Sequence, residues 1–309
     1  MLENLLESVG DSGALSFNCE IGGIKRVSSK MSVNRILMRS GLKVPETVLV
    51  DIHERIEVIR RLAGEMGYPL FFKPVDGVGC CGLSLVKDEK EVVGAVNKVA
   101  QESSAGVFVA QKVVEGKPVS VCVVSTGDKA VGVTLNRQRV TLASPAGVSS
   151  YDGGEVPLIH PLETEALKVA ERAVEAIGGL RGYVGVDMIL NDEEPVVIEI
   201  NPRLTTSYIG LKRVADFNIV DLIVDAVISR KLPADFQTSG FSFFSKVMVP
   251  SDPGMLYETY KLCDVVCPPF PVEEKRVCGL VASASSTRSG AQSGFYRSKK
   301  RLLSLYGGN

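Results

Sequence analysis

The chain has 309 residues, 45% hydrophobic and 23% charged, with a formal net charge of -1, so it can build a large core and more than one domain. Near neutrality removes the general pull toward nucleic acid or an anionic membrane, and no apolar run approaches the roughly 20 residues of a membrane helix. The acidic start MLENLLESVGDSG lacks a basic signal-peptide opening, and seven cysteines without framework spacing suit reduced thiols. A cytoplasmic protein without disulfides is expected.

In chain order, residues 32–40 have helical spacing and stop at Gly41, 48–50 form a short strand, and 52–66 form a helix ending at Gly67. Residues 70–74 form a strand opening into Asp76-Gly77-Val78-Gly79-Cys80-Cys81-Gly82, and 83–86 form the next strand. No Gly-Lys-Ser/Thr and no helix follow these glycines, so they form a hairpin tip and not a Walker loop. Such a tip lets backbone N–H groups approach phosphate oxygens, although glycine turns also occur without any ligand. A helix over 88–102 precedes strands over 107–114, 118–124, 129–134 and 139–143. A polar loop over 149–155 and a helix over 163–177 follow. Beyond residue 203 a helix over 216–229, strands over 243–249 and 277–283, and a C-terminal helix are expected. The basic run Arg297 to Arg301 is placed at that helix's end, where cations offset the dipole.

Residues 182–203, GYVGVDMILNDEEPVVIEINPR, place Asp, Glu and Asn inside two strand-forming apolar runs joined by turn residues. With the loop centred near Glu193, Asp187 sits opposite Glu199. Two carboxylates facing across a strand pair repel unless a cation lies between them, and Asn201, two residues beyond Glu199, adds a neutral oxygen on the same face. The donors are all hard oxygen, which favours magnesium or manganese over zinc. Arg203 beside them suits a bidentate grip on phosphate or carboxylate. The plainer alternative is a solvated hairpin face. Cys263, Cys267 and Cys278 lack the second ligand pair of a zinc site, and the two histidines, His53 and His160, have no obvious nucleophile partner.

Taken together, Lys30 before a helix, Lys73-Pro74 before a glycine hairpin, Gln111-Lys112-Val113-Val114-Glu115-Gly116, Asp187, and Glu199-Ile200-Asn201-Pro202-Arg203 resemble the ATP-grasp carboxylate-amine ligase superfamily over about residues 29–229. The resemblance implies an α+β fold whose two subdomains grip ATP, with about 67–118 gripping the nucleotide within a domain of 29–309. Residues 1–28 would then be the remnant of an N-terminal α/β domain that is largely absent, its part of the cleft built differently or by a partner. The cofactors implied are ATP and Mg²⁺ or Mn²⁺. Lys30 and Lys73 would hold the α and β phosphates, Lys73 also acting in catalysis. Gly77, Gly79 and Gly82 would cover the triphosphate, and Gln111, Lys112, Val113 and Val114 would present backbone groups to adenine. Asp187, Glu199 and Asn201 would hold two metal ions, and Arg203 would steady the transferring phosphoryl group and the acyl intermediate. Pro118 stands where most relatives carry a ribose-binding acid, leaving Glu115 as its substitute.

Leu135-Asn136-Arg137-Gln138, residues 151–157 and residues 201–211 resemble a narrower group, the tyramine-glutamate ligases of methanofuran biosynthesis. That resemblance implies small-molecule acid and amine substrates, with Arg137 and Arg203 on carboxylates and Thr205, Ser207 and Tyr208 beside the acceptor. A capped helix start explains the same hydroxyls equally well. Oligomeric state stays open. The alternatives are a ligase of the D-alanine-D-alanine or lysine-family type, or a nucleotide-binding module without turnover.

Overall fold

The computed structural model describes residues 2–77, 80–233, 235–273 and 276–307. Helices α1 (Leu2–Asp11), α2 (Ile21–Ser28) and α3 (Lys30–Arg39) come first. The Ser29 hydroxyl accepts from the Ser32 N–H, and this cap puts Lys30 at the first position of α3. Neither α1 nor α2 is expected from the sequence, because their glycine-broken runs hide the helical period.

Next come β1 (Thr47–Asp51), α4 (Ile56–Met66), β2 (Leu70–Pro74), β3 (Ser84–Val86), α5 (Val92–Glu102) and β4 (Val107–Lys112). The four strands form one antiparallel sheet in the order β1-β4-β2-β3, which starts well ahead of residue 67. Leu70 and Phe72 are fully buried among side chains of α4 and α5, with the Phe72 and Phe108 rings 4.9 Å apart. Strand alternation therefore turns Phe71 and Lys73 to the opposite face, which is the open one.

The remaining elements are β5 (Lys117–Gly127), β6 (Ala130–Thr141), β7 (Ser150–Val156), α6 (Glu163–Ile177), β8 (Leu180–Leu190), β9 (Pro195–Asn201), α7 (Ser207–Val214), α8 (Ile219–Val224), β10 (Phe241–Pro250), α9 (Leu256–Tyr260), β11 (Val265–Glu273), β12 (Arg276–Ser285) and α10 (Arg288–Leu305). Eight strands make a second antiparallel sheet in the order β11-β12-β10-β7-β6-β5-β8-β9. One face packs Val119, Val121, Leu135, Val184 and Val186 against Ala166, Val169, Ala170 and Ala173, which recur at helical spacing along α6. The other face carries Cys122, Val124 and Tyr183 beneath Leu211 and Val214 of α7 and Ile219 and Ile223 of α8.

Three expectations are corrected here. The two strands over 129–134 and 139–143 are one strand, β6; the intervening Asn136 looks like a break but is fully buried, its amide donating to Cys122 Sγ at 3.2 Å. The polar loop over 149–155 is strand β7, because pairing with both β6 and β10 outweighs the poor strand propensity of Asp152, Gly153 and Gly154. The basic run in α10 stops short of the helix end, which has no basic residue in its last turn, so offsetting the dipole does not explain it. Among the described residues, no helix is long and apolar enough to cross a membrane.

Candidate functional site

Strands β8 and β9 pair with Asp187 directly opposite Glu199, followed by a bulge at Ile198. On the adjoining strands, β5 sets Ser120 beside Asp187 and β6 sets Asn136 beside Ser120, so one row of the sheet runs through both acids. Asp187 is held from two sides: Gln138 Nε2 donates to Oδ1 at 2.7 Å and Asn201 Nδ2 to Oδ2 at 2.9 Å. Glu199 Oε1 receives Lys30 Nζ at 2.6 Å. Across the cleft, Lys73 Nζ donates to Gln111 Oε1 at 2.8 Å, and the Gln111 amide donates in turn to Thr47 Oγ1 at 2.9 Å. Arg203 is exposed; its guanidinium comes to 3.5 Å from Asn201 Oδ1, the outer limit of a hydrogen bond.

The electrostatics follow from this crowding. Burial and then the charge of Glu199 push the Asp187 carboxyl up to about 7. Burial would raise Glu199 too, but Lys30 and Lys73 outweigh it and hold Glu199 below its ordinary value. Lys73 is pushed down to about 8, by burial above all. Two facing acids, one of them pushed up to about 7 by burial and by the charge of the other, plus an amide oxygen approached among the described residues only by a guanidinium at 3.5 Å, make a hard-oxygen set that a divalent cation fits. No third carboxylate, cysteine or histidine joins them among the described residues. Lys73 and the cations opposite leave room for polyanionic phosphate between the sheets.

The cleft between the sheets brings together Lys30, Lys73, Gly77, Gln111, Lys112, Val113, Val114, Asp187 and Glu199 from the expected set. Gly79 lies outside the described residues. Gly82 and Glu115 do not line the cleft: Gly82 turns the hairpin at φ 69°, packed against Pro74, and Glu115 is exposed, while Gly116 and Pro118 form the wall. The Lys112 ammonium is committed to the carbonyls of Met66 and Gly67 at the end of α4. Its N–H goes to Glu46 O and that of Val113, at 3.4 Å, to Pro69 O, while the Val114 N–H, in the cleft wall, makes no hydrogen bond among the described residues.

Arg137 is a correction. It shares a face with Leu135, two residues away, which packs on α6, so its side chain leaves the sheet on the face opposite Asp187. Its neighbour Gln138, on the correct face, is the residue that reaches the acid. Asn136 and Gln138 share the face of Asp187 through Ser120, a parity that depends on β5 lying between β6 and β8. Ser207 is buried with its hydroxyl 3.1 Å from that of Ser120, so it ties α7 to the sheet and does not face the cleft. Thr205 packs over Gly185, where a Cβ would lie 2.3 Å from its methyl group, and its hydroxyl is 3.1 Å from that of Tyr183. Tyr208 meets the Tyr183 ring edge-on, centroids 6.2 Å apart.

Comparison with known proteins decides the family. The model described as "ATP-grasp domain" matches residues 27–207, more than half of the chain. The chain belongs to the ATP-grasp family. Tyramine–L-glutamate ligase of Methanocaldococcus fervens is 38% identical over 136 residues, covering 44% of this chain and 43% of that protein. The corresponding ligase of Methanocaldococcus jannaschii is 40% identical over 105 residues, 34% of this chain and 32% of its own length. The chain thus spans less than half the length of these curated relatives. Among solved structures, N5-carboxyaminoimidazole synthase from Aspergillus clavatus superposes with a TM-score of 0.75 at 16% identity, covering 97% of this chain and 79% of that one. L-amino acid ligase from Bacillus licheniformis gives 0.71 at 17%, covering 95% and 75%. These two establish the ATP-grasp fold.

Two expected results arise from this geometry. Gln138→Ala should lower ATP turnover by about 10- to 100-fold, the usual effect of removing a group that orients a metal ligand, while Arg137→Ala changes it little. Equal losses in steady-state assays would contradict the facing derived above. Gly116 has φ 145° and a Cβ there would lie 2.3 Å from Leu190 O, so Gly116→Ala should cost about 1–3 kcal/mol in urea unfolding. An unchanged midpoint would mean that the linker does not press on β8 in solution.

Proposed function

We propose that this ATP-grasp protein is an ATP-dependent ligase that joins glutamate to an amine such as tyramine through an acyl phosphate. The observation that carries the reading is the Asp187–Glu199 pair facing Lys73 across a cleft, with Lys30 on one acid and the exposed Arg203 approaching Asn201. Partial similarity to the tyramine–glutamate ligases supports the substrate choice.

In the reaction, an oxygen of the substrate carboxylate attacks the γ-phosphorus of ATP and ADP departs. The amine nitrogen then attacks the carbonyl carbon, the C–O bond to phosphate breaks, and the nitrogen loses its proton. Lys73, pushed down to about 8 by burial, is favoured as the ammonium when phosphate oxygens come beside it, and Gln111 aims it. Lys30 must leave Glu199 to reach phosphate, an exchange that a cation at Glu199 makes favourable. Mg²⁺ held by Asp187, Glu199 and Asn201 would supply neutralisation of the β- and γ-phosphoryl oxygens. Arg203 is the group we assign to the carbonyl oxygen, to which it would donate as that oxygen gains charge. The Val114 N–H is the group we assign to the adenine edge. No covalent enzyme intermediate enters this scheme.

ADP and phosphate should appear in step with amide when glutamate and tyramine are supplied together, and alanine should be the poorer acid. AMP and pyrophosphate as products would reject the acyl phosphate. Alanine equal to or better than glutamate would reject the glutamate assignment.

A further inference from the structure

A second cavity, of about 330 Å³, lies on the same face of the large sheet as the carboxylates, between β8, α7, α8 and the segment before α2. Its wall includes Phe17, Tyr183, Leu204, Tyr208, Val220 and Ile223, and no charged side chain lines it. We propose that this cavity takes the aromatic ring of the acceptor amine, an arylalkylamine; this rests on the ligase reading given above.

Position along β8 carries the argument. The linker presses on β8 at Leu190, Asp187 follows three residues back, and Tyr183 lies four residues further on, its side chain on the same face. At the rise of a strand these steps are about 10 Å and about 13 Å. A nucleotide whose base meets the linker and whose phosphates meet Asp187 and Glu199 therefore points its γ-phosphate along β8 toward Thr205, which covers Gly185, with Tyr183 beyond it. The acyl carbon forms beyond that phosphate. An amine nitrogen attacking it, with a ring carried on a short alkyl chain, extends away from the phosphates and toward the cavity. Chain continuity agrees: Asn201 belongs to the acid cluster, Arg203 approaches it, and Leu204, the next residue, lines the cavity.

The chemistry of the wall selects the ligand class. A glutamate side chain would find no cation there, whereas an aryl ring meets Tyr183 and Tyr208, already in edge-on contact with one another, and the aliphatic side chains of α8. The Tyr183 hydroxyl is committed, 2.8 Å from Cys122 Sγ and 3.1 Å from Thr205 Oγ1. That of Tyr208 has no hydrogen bond among the described residues, nor does the Asn18 amide, so both are available to a ring hydroxyl. Phe17, Leu204 and Val220 are 42%, 50% and 48% exposed, an apolar rim that a ring would cover.

The test is calorimetric titration of tyramine, with butylamine as the aliphatic control, into the full chain saturated with Mg²⁺ and a non-hydrolysable ATP analogue. Tyramine should bind at least tenfold more tightly than butylamine. Val220→Arg, an exposed helix position, should weaken tyramine at least tenfold and leave analogue affinity unchanged, while Val220→Ile retains tyramine binding. Leu204→Asp, on an exposed loop, should act as Val220→Arg does, and it serves if the first variant does not fold. No tyramine binding, equal affinity for the two amines, or an unaffected Val220→Arg and Leu204→Asp would overturn the assignment. The ligase reading fails separately: tyramine binding that depends on Val220, without ADP release from glutamate and any amine, removes the activity and keeps the site.

Discussion

Glu199→Gln should abolish Mg²⁺-dependent turnover while leaving the fold in place. The substitution keeps the shape and removes one charge from a pair that stands face to face across β8 and β9. Two opposing changes follow within the apo protein. Lys30 loses its anionic partner at 2.6 Å, and Asp187 loses the neighbouring charge that, after burial, most raises its carboxyl. These largely cancel in stability, so the melting temperature should move by a few degrees at most. They do not cancel in function, because a divalent ion between the sheets would lose half of its carboxylate charge. Groups that merely orient a ligand cost about 10- to 100-fold when removed, so loss of a direct ligand should exceed about 100-fold. Steady-state ADP release at saturating Mg²⁺ measures this, and turnover near the wild-type rate would sink the metal assignment. A melting temperature lowered by ten degrees or more would instead make Glu199 chiefly a partner that anchors Lys30 and α3.

The central part of the site was legible because its signals are local. Asp187 and Glu199 flank one turn at matched distances, which put them near one another; the register of that turn alone would set Asp187 against Ile198, and the bulge at Ile198 is what brings Glu199 opposite it. Lys73 was equally legible, since Phe72 had to go into the core and alternation did the rest. What was missed depends on contacts between distant segments. Gln138 reaches Asp187 only because β5 lies between β6 and β8, and no count along the chain shows which of Arg137 and Gln138 faces the acids until that order is known. Glu115 failed for a similar reason: Gly116 is pinned against Leu190, and the linker leaves its neighbour outside the wall. Strand β7 was hidden by its own composition, as two glycines and an aspartate gain strand structure only from the ladders on either side. The expected 216–229 helix fell between the two cases: capped by Asn218, it begins three residues late at Ile219, and its last turn widens over Asp225–Ser229.

Lys73→Met should weaken nucleotide binding at least tenfold without lowering stability, and the pH dependence should separate the two roles. The lysine is pushed down from 10.5 to about 8, with burial the first cause, Glu199 opposing it and Lys30 adding to it. Between about 8 and 10.5 the unfolded chain therefore holds a proton on this residue that the folded protein has released. Stability gained from Lys73 rises with pH across that window, and below it the folded state bears the cost of a buried charge. Methionine has similar length and no charge, so at pH 7 the variant should melt at the wild-type temperature or above it, and its rise in stability from pH 8 to 10 should be smaller. Nucleotide binding reverses the balance: phosphate oxygens beside Lys73 favour the ammonium, so ATP should bind to the wild type with proton uptake near pH 8.5 and to the variant without it. Titration calorimetry in two buffers of different ionisation enthalpy measures that uptake directly. A sharp drop in melting temperature together with unchanged nucleotide affinity would make Lys73 a structural residue, held by Gln111 and Thr47 for the sake of the small sheet alone.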